Sequence, residues 1–105
     1  MKIVYNNIIP FKGFVAINLF GILFVRRNVI LTDRIMNHEK IHTAQMKELF
    51  YVFFYLFYLI EWLIKLFKHG LKSYYNISFE REAYKNDENI EYLKSRKRFW
   101  FFKYL

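Results

Sequence analysis

Cysteine is absent from this chain of 105 residues, which excludes disulfide bonds and metal sites built on thiolates. With three glycines and one proline, the chain has few points where a helix must break, and no linker is visible. Its length gives room for one domain, which we place over residues 1–105. Any metal site must therefore use histidine and carboxylate side chains.

Acidic residues are also few, with nine against 17 lysines and arginines, which leaves a net charge of +8. Such a surplus favours negatively charged partners, such as anionic lipid headgroups or nucleic acid. The basic residues that would form a nucleic-acid patch are Arg26, Arg27 and those of the segment 94–103. Because they carry no recognised nucleic-acid motif, we rank a nucleic-acid partner last.

Aromatic side chains, in contrast, are abundant: they make up 23% of the chain and include 13 phenylalanines and nine tyrosines. A domain of this size cannot easily bury so much ring surface in its own core. Part of this surface should therefore face a membrane, a second subunit or a binding groove.

The N-terminal part of the chain has the composition of β-strands. The runs FVAIN and ILFVRR are rich in β-branched and aromatic residues, and the segment LFG between them centres a turn on Gly21. Each run is too short to cross a bilayer. The pattern predicts a β-hairpin within residues 3–27.

Three helices are predicted after the hairpin. Thr32 is a suitable N-cap for the first, over 33–45, and a second helical stretch, either separate from the first or continuous with it, follows over 46–68. Ser78 is a suitable N-cap for the third, over 79–96. The expected fold is thus α+β, an N-terminal β-hairpin followed by three helices.

The second helix is apolar or aromatic on every side over residues 49–60, although this short chain offers no large core to bury it. Its polar-tipped side chains repeat every three or four residues and should face the protein: Glu48, Tyr51, Tyr55, Tyr58, Trp62 and Lys65. The remaining surface of 49–67 is a candidate for membrane contact or for a homo-oligomer. The apolar run is shorter than the roughly 20 residues that a full crossing needs. A membrane-associated or a cytoplasmic location fits this pattern.

The segment MNHEKIHTAQ carries the motif H-E-x-x-H on the first predicted helix, with His38, Glu39 and His42. Histidines four positions apart share a helix face, so both imidazoles can bind one metal ion, for which Zn²⁺ is the usual occupant. Glu39 projects beside the metal, where its carboxylate can take a proton from water as a general base. The alternative is an ordinary solvated helix face.

A zinc site of this type needs a third protein ligand and an open fourth position. The acidic third helix, with the segment FEREAYKND, offers Glu80 and Glu82. These two carboxylates cannot both reach the metal, because residues two positions apart on a helix point away from each other. His69 is less well placed, since it lies at the end of the apolar helix beside Gly70.

H-E-x-x-H on one helix and a Glu-Ala pair on a later helix resemble the motifs of the gluzincin metallopeptidases. The aromatic helix between them is most similar to the layout of the membrane-embedded antibiotic-sensor metallopeptidases and of small stand-alone gluzincin domains. The resemblance covers residues 33–87. It implies a zinc site with His38 and His42 as ligands, Glu39 as the base and Glu82 as the third ligand.

The resemblance also implies supporting residues. The family's Asp four positions after the glutamate ligand, which fixes a histidine ring, is replaced by Asn86, with Asp87 beside it as the alternative. A Tyr or His of the family stabilises the oxyanion, and the candidates in this chain are Tyr74, Tyr75 and His69. A strand edge ahead of the zinc helix holds the substrate extended, a role that ILFVRR would take.

The predicted function is zinc-dependent hydrolysis of a peptide bond in a peptide or protein substrate, with Zn²⁺ as the cofactor. Larger members of the family have an extra subdomain that walls the cleft. In a chain of 105 residues the cleft should be shallow, or completed by a partner or a membrane. The alternative function is a membrane-associated metal-binding or scaffolding protein with a weak or vestigial site.

Overall fold

The computed structural model describes residues 1–10 and 14–105, which form an α+β fold with 58% helix and 14% strand. The expected fold class is therefore confirmed. The described strands are β1 (Lys2–Asn6), β2 (Ala16–Leu19) and β3 (Ile22–Arg26). The described helices are α1 (Asp33–Glu48), α2 (Val52–His69), α3 (Ser73–Asn76), α4 (Ser78–Asn86) and α5 (Tyr92–Ser95), with 3₁₀ turns at Gly70–Lys72 and Trp100–Tyr104.

The predicted hairpin is present, and β1 extends it to a sheet. β2 and β3 pair antiparallel around Phe20 and Gly21, whose φ values of 54° and 87° suit a tight two-residue turn. β1 pairs with β3 in parallel, so the order in the described sheet is β1-β3-β2. Because β3 is central, its Leu23 and Val25 are completely buried.

The described sheet has two edge strands, β1 and β2. The prediction that ILFVRR offers a strand edge to a substrate is wrong, because β1 and β2 occupy both edges of β3. In a hairpin with a two-residue turn, the pair beside the turn exchanges hydrogen bonds, so the backbone groups of Ala16 and Asn18 point outward. Tyr55 accordingly donates its hydroxyl to the carbonyl of Asn18 at 3.0 Å.

α1 begins where the sequence predicts and ends later. Thr32 caps it, because its Oγ1 accepts a hydrogen bond from the backbone N–H of Ile35 at 3.1 Å. The helix continues to Glu48. The helical conformation is then interrupted at Phe50 and Tyr51, which both have positive φ. The second helix is therefore separate from the first and starts later than predicted.

α2 packs against the rest of the protein with the face that its sequence pattern predicts. Tyr51, Tyr55, Tyr58 and Trp62 lie partly buried against a core cluster. The buried members of that cluster are Met46, Phe54, Ile77, Phe79 and Phe101. The opposite face of α2 is exposed.

Within the described ranges, no individual helix combines the length and the apolar composition that a bilayer span needs. Two consecutive helical segments, Asp33–Glu48 and Val52–Asn86, are bent by 108° relative to each other and meet both criteria when they are counted together. Core helices of soluble proteins reach the same values.

The third predicted helix is divided in the structure. α4 has nine residues, so the predicted helix end near residue 96 is wrong. Ser78 lies in the first turn, while Ile77 holds the cap position. The hydroxyl of Ser78 instead donates to Glu61 of α2 at 2.6 Å. The chain then folds back through α5, and Phe101 of the last 3₁₀ turn joins the core cluster.

Candidate metal centre

Two histidines of α1 and a carboxylate of α4 meet inside the fold. His38 and His42 lie one turn apart on α1, and their Nε2 atoms are 3.1 Å apart. Glu80 brings its Oε1 to 3.3 Å from Nε2 of His38 and 3.0 Å from Nε2 of His42. All three residues are at most 9% exposed. They form a compact, largely buried cluster.

The spacing of these three atoms suits a metal ion. Zinc ligands lie about 2.0–2.2 Å from the ion, so two ligands of a tetrahedral set are roughly 3.3–3.6 Å apart. The observed separation of 3.3 Å lies at the lower end of this range, and those of 3.0 and 3.1 Å are slightly smaller. His38, His42 and Glu80 could therefore hold a metal ion.

Hydrogen bonds on the far side of each ring point its Nε2 lone pair at the cluster. Asp87 Oδ2 lies 3.0 Å from Nδ1 of His38, and since a carboxylate only accepts, this nitrogen carries the proton. Gln45 Oε1 lies 2.8 Å from Nδ1 of His42 and must accept, because the Gln45 amide donates elsewhere. When both rings are neutral, three acceptors therefore converge, and a cation between them, either a metal ion or a proton, offsets their repulsion.

The pKa values in the cluster follow from this convergence. Burial works to lower the pKa of His42, but the negative charge of Glu80 raises it to about 9. Burial works to raise the pKa of Glu80, yet His42 and hydrogen bonds from the two rings and Tyr58 lower it well below its usual range. A proton held between His42 and Glu80 thus supplies the positive charge that a metal ion would bring.

Glu82, the expected third ligand, faces away from the histidines, so that prediction is wrong. Its carboxylate is completely buried and accepts from the hydroxyl of Tyr92 at 2.6 Å and from the amide of Gln45 at 2.9 Å. Arg96 forms a salt bridge with the same carboxylate. Since residues two apart on a helix diverge, the packing of α4 on α1 that directs Glu80 to the cluster directs Glu82 away from it.

Of the two predicted supporting residues, Asp87 contacts the site and Asn86 lies elsewhere. Asp87 accepts from Nδ1 of His38 and, through Oδ1, from Nε of Arg34 at 2.9 Å. Arg34 therefore fixes the position of the Asp87 carboxylate, which in turn orients the ring of His38. Asn86 donates its amide to the hydroxyl of Tyr104 at 3.1 Å.

Gln45 supports the second histidine, a role that the sequence alone did not distinguish from that of a plain polar helix residue. It is completely buried. Its amide donates to the carbonyl of Phe79 at 3.0 Å and to Glu82 at 2.9 Å, which leaves its oxygen to accept from His42. The signal in the sequence was its position one turn after His42 on the same helix face.

Glu39, the predicted base, lies beside the cluster without joining it. It is half-buried and borders the same groove as His38 and His42. Burial raises the pKa of its carboxyl above the usual value, and the two histidines offset part of this rise. A carboxylate in this setting can accept a proton and return it.

Two tyrosines that sequence reasoning did not assign to the site contact the cluster. Tyr58 of α2 donates its hydroxyl to Oε2 of Glu80 at 2.8 Å. The ring of Tyr84 packs edge-on against the ring of His38, with 4.5 Å between centroids. Tyr84 stands four positions after Glu80, so it lies one turn further along the same face of α4.

The three residues predicted to stabilise an oxyanion lie in different places. Tyr74 and Tyr75 line the groove, and the hydroxyl of Tyr74 lies 3.3 Å from that of Tyr84. His69 is exposed at the end of α2 and is not among the groove-lining residues of the described chain.

The cluster opens onto a groove of about 1090 Å³. The groove is lined by β2, by residues 8–10 and 14–15 ahead of β2, and by the tyrosines of the site. The apolar residues of the groove include Ile8, Ile9, Phe14, Val15, Ile17 and Tyr55. The groove therefore offers a mainly apolar surface next to the cluster.

Replacing Asp87 by alanine should weaken Zn²⁺ binding by about 10–100-fold, because His38 loses the acceptor that fixes its ring. The measurement is a competition titration against a coloured chelator. The control is Asn86→Ala, which should change the dissociation constant by less than about twofold. This is far less than the effect of removing a residue that hydrogen-bonds a metal ligand. Equal losses in the two variants would show that Asp87 acts through general stability alone.

A scan against protein-family models and searches of curated proteins and of solved structures each gave no match for this chain. A function must therefore be inferred from the chemistry of the site. What the site supports directly is that His38, His42 and Glu80 could bind a metal ion.

Proposed function

We propose that this protein is a zinc-dependent peptidase of the gluzincin type. The observation that carries the proposal is the convergence of Nε2 of His38, Nε2 of His42 and Oε1 of Glu80 within 3.3 Å of one another. Two histidines and one glutamate are the donor set of catalytic zinc sites that leave a fourth position for water or substrate.

The donor set favours zinc over other divalent ions. Two imidazole nitrogens exclude a site of the all-oxygen kind that Mg²⁺ and Ca²⁺ prefer, and the short donor separations suit a small tetrahedral ion. When bound, zinc supplies a Lewis acid that polarises a carbonyl group and makes a water molecule more acidic.

Side chains that line the groove would carry out the remaining steps. Glu39, at the groove beside the histidines, takes the proton of the attacking water and returns it to the leaving amine. Tyr74 lines the same groove, where its O–H can donate to the oxygen that gains negative charge, whereas the O–H of Tyr58 is donated to Glu80.

The substrate that this arrangement favours is an extended peptide with apolar side chains. The outer edge of β2 presents the backbone groups of Ala16 and the N–H of Asn18, which can pair with a peptide strand, while the carbonyl of Asn18 accepts from Tyr55. The adjoining groove wall is apolar, so side chains that alternate along such a strand would be buried there.

The test compares zinc content and peptide hydrolysis in the same preparations. Wild-type protein dialysed against Zn²⁺ should retain about one ion per chain, as a built three-ligand site does. Glu39→Gln should retain zinc yet cleave a library of fluorogenic peptides, with apolar residues on both sides of the scissile bond, about 10²–10⁴-fold more slowly. His38→Ala should lose both zinc and activity.

Two outcomes separate the alternatives. Wild-type protein that stays free of zinc after dialysis overturns the metal site and the peptidase together. Zinc binding in which wild type and Glu39→Gln cleave no peptide would instead support a metal-binding scaffold protein, the second function that the sequence leaves open.

A further inference from the structure

The outer face of α2 is a continuous apolar surface. Its residues, which we name the apolar strip, are Phe53, Leu56, Phe57, Ile60, Leu63, Ile64 and Phe67, each between 44% and 91% exposed. They recur every three or four positions and so cover about 21 Å of one helix side. Side chains scattered singly need no explanation, but a continuous strip of this length marks an interaction surface.

The charges around the apolar strip are positive. Lys47 is exposed in the last turn of α1, ahead of α2, and Lys68 and Lys72 are exposed at the other end of α2. The acidic residue of α2, Glu61, is turned inward, where it accepts from Ser78. The strip is therefore flanked by cations at both ends and carries no negative charge itself.

The C-terminal segment brings more basic and aromatic side chains to the start of α2. The backbone N–H of Phe99 donates to Glu48 at the end of α1 at 2.7 Å, which places this segment at the corner between α1 and α2. Lys97 and Lys103 lie over the ring of Trp100, at 5.3 and 4.6 Å from its centroid. Aromatic rings with adjacent cations are typical of a surface that sits among lipid headgroups.

We propose that the apolar strip docks on an anionic lipid bilayer, with α2 lying in the plane of the headgroups. A second copy of the chain fits less well, because a self-complementary interface would bring together two chains that each carry +8. An anionic bilayer accepts the apolar residues and neutralises the flanking cations at once. This proposal is independent of whether the metal centre is catalytic.

Vesicle flotation of the full chain tests the proposal. The protein should float with vesicles of equimolar phosphatidylglycerol and phosphatidylcholine, and bind pure phosphatidylcholine vesicles at least about tenfold more weakly, since the cations contribute only at an anionic surface. Binding to the anionic vesicles should weaken as salt is raised.

Matched variants locate the surface. Phe57→Asp/Ile64→Asp, on the apolar strip, should weaken anionic-vesicle binding by more than about tenfold. Ile30→Asp/Ile90→Asp replaces residues that are 87% and 56% exposed away from the strip, and should leave binding unchanged. Circular dichroism verifies folding; if the first variant does not fold, Phe67→Asp at a 91% exposed position takes its place and should weaken binding several-fold.

Three results would overturn the proposal. The first is equal binding to anionic and neutral vesicles, and the second is full binding by the folded strip variant. The third is wild-type protein that binds no vesicle and sediments as a dimer that the strip substitutions dissociate, which would make a second copy the occupant of the strip.

Discussion

Replacing Glu80 by glutamine should weaken zinc binding by at least about a hundredfold. This loss exceeds the roughly 10–100-fold loss that follows when a residue hydrogen-bonded to a metal ligand is removed. Glu80 supplies the negative charge of the cluster, and its Oε1 lies within 3.3 Å of Nε2 of both histidines. A neutral amide oxygen keeps the shape of the side chain but loses that charge. Competition titration against a chelator measures the change, with circular dichroism as the test of folding.

Two further variants make the Glu80 result specific. Glu91→Gln changes an exposed carboxylate remote from the histidines and should leave zinc affinity unchanged. Glu82→Gln should weaken zinc binding by no more than about tenfold, because Glu82 contacts Gln45, which in turn contacts His42. If the Glu82 variant lost zinc while the Glu80 variant kept it, Glu82 would be the third ligand and Glu80 would not.

Replacing Arg96 by methionine should lower the free energy of unfolding by about 3–5 kcal/mol, the cost of breaking a buried ion pair. The Arg96 side chain is 5% exposed, and it lies between the carboxylates of Glu82 and Glu48, which are 0% and 8% exposed. Methionine fills much of the space but leaves both carboxylates without their cation. Urea unfolding followed by circular dichroism measures the difference.

The control for Arg96 is the exposed pair of Lys94 and Glu91, whose side chains are 79% and 67% exposed. Lys94→Met should change the free energy of unfolding by less than about 0.5 kcal/mol, since exposed ion pairs contribute little. A loss below about 1 kcal/mol for Arg96→Met would show that the buried network is no stronger than a surface pair.

The Arg96 network also connects the C-terminal segment to the metal centre. Arg96 donates to the carboxylate of Glu82, which also accepts from the amide of Gln45. The amide oxygen of Gln45 accepts from the ring of His42. The orientation of one histidine therefore depends on a residue 54 positions later in the chain. Arg96→Met should accordingly weaken zinc binding as well, by no more than about tenfold, because Arg96 acts on His42 through Glu82 and Gln45.

The features that the sequence predicted well depend on neighbours in the chain. The spacing of His38 and His42 is four residues, so any α-helix brings their rings to one side. Thr32 caps α1 because its hydroxyl reaches an N–H three residues later. Phe20 and Gly21 turn the hairpin, and the tyrosines of α2 face the core, for equally local reasons.

The features that it did not predict depend on how distant segments pack. Glu80 and Glu82 have almost the same local surroundings, and the packing of α4 on α1 decides which of them meets the histidines. The sequence alone could not show that β1 would pair with β3, which closes the edge expected for a substrate. The end of α4 is set in the same way, by the return of the chain onto the core cluster.

By itself, the sequence determined the class of fold, the pair of histidines, the neighbouring Glu39 and the two faces of α2, because helix and strand periods act over a few residues. Only the tertiary structure decided that Glu80 completes the cluster, that Asp87 and Gln45 orient its rings, and that β2 borders the groove. These choices depend on the relative placement of helices and strands that are far apart in the chain, which short-range patterns do not encode.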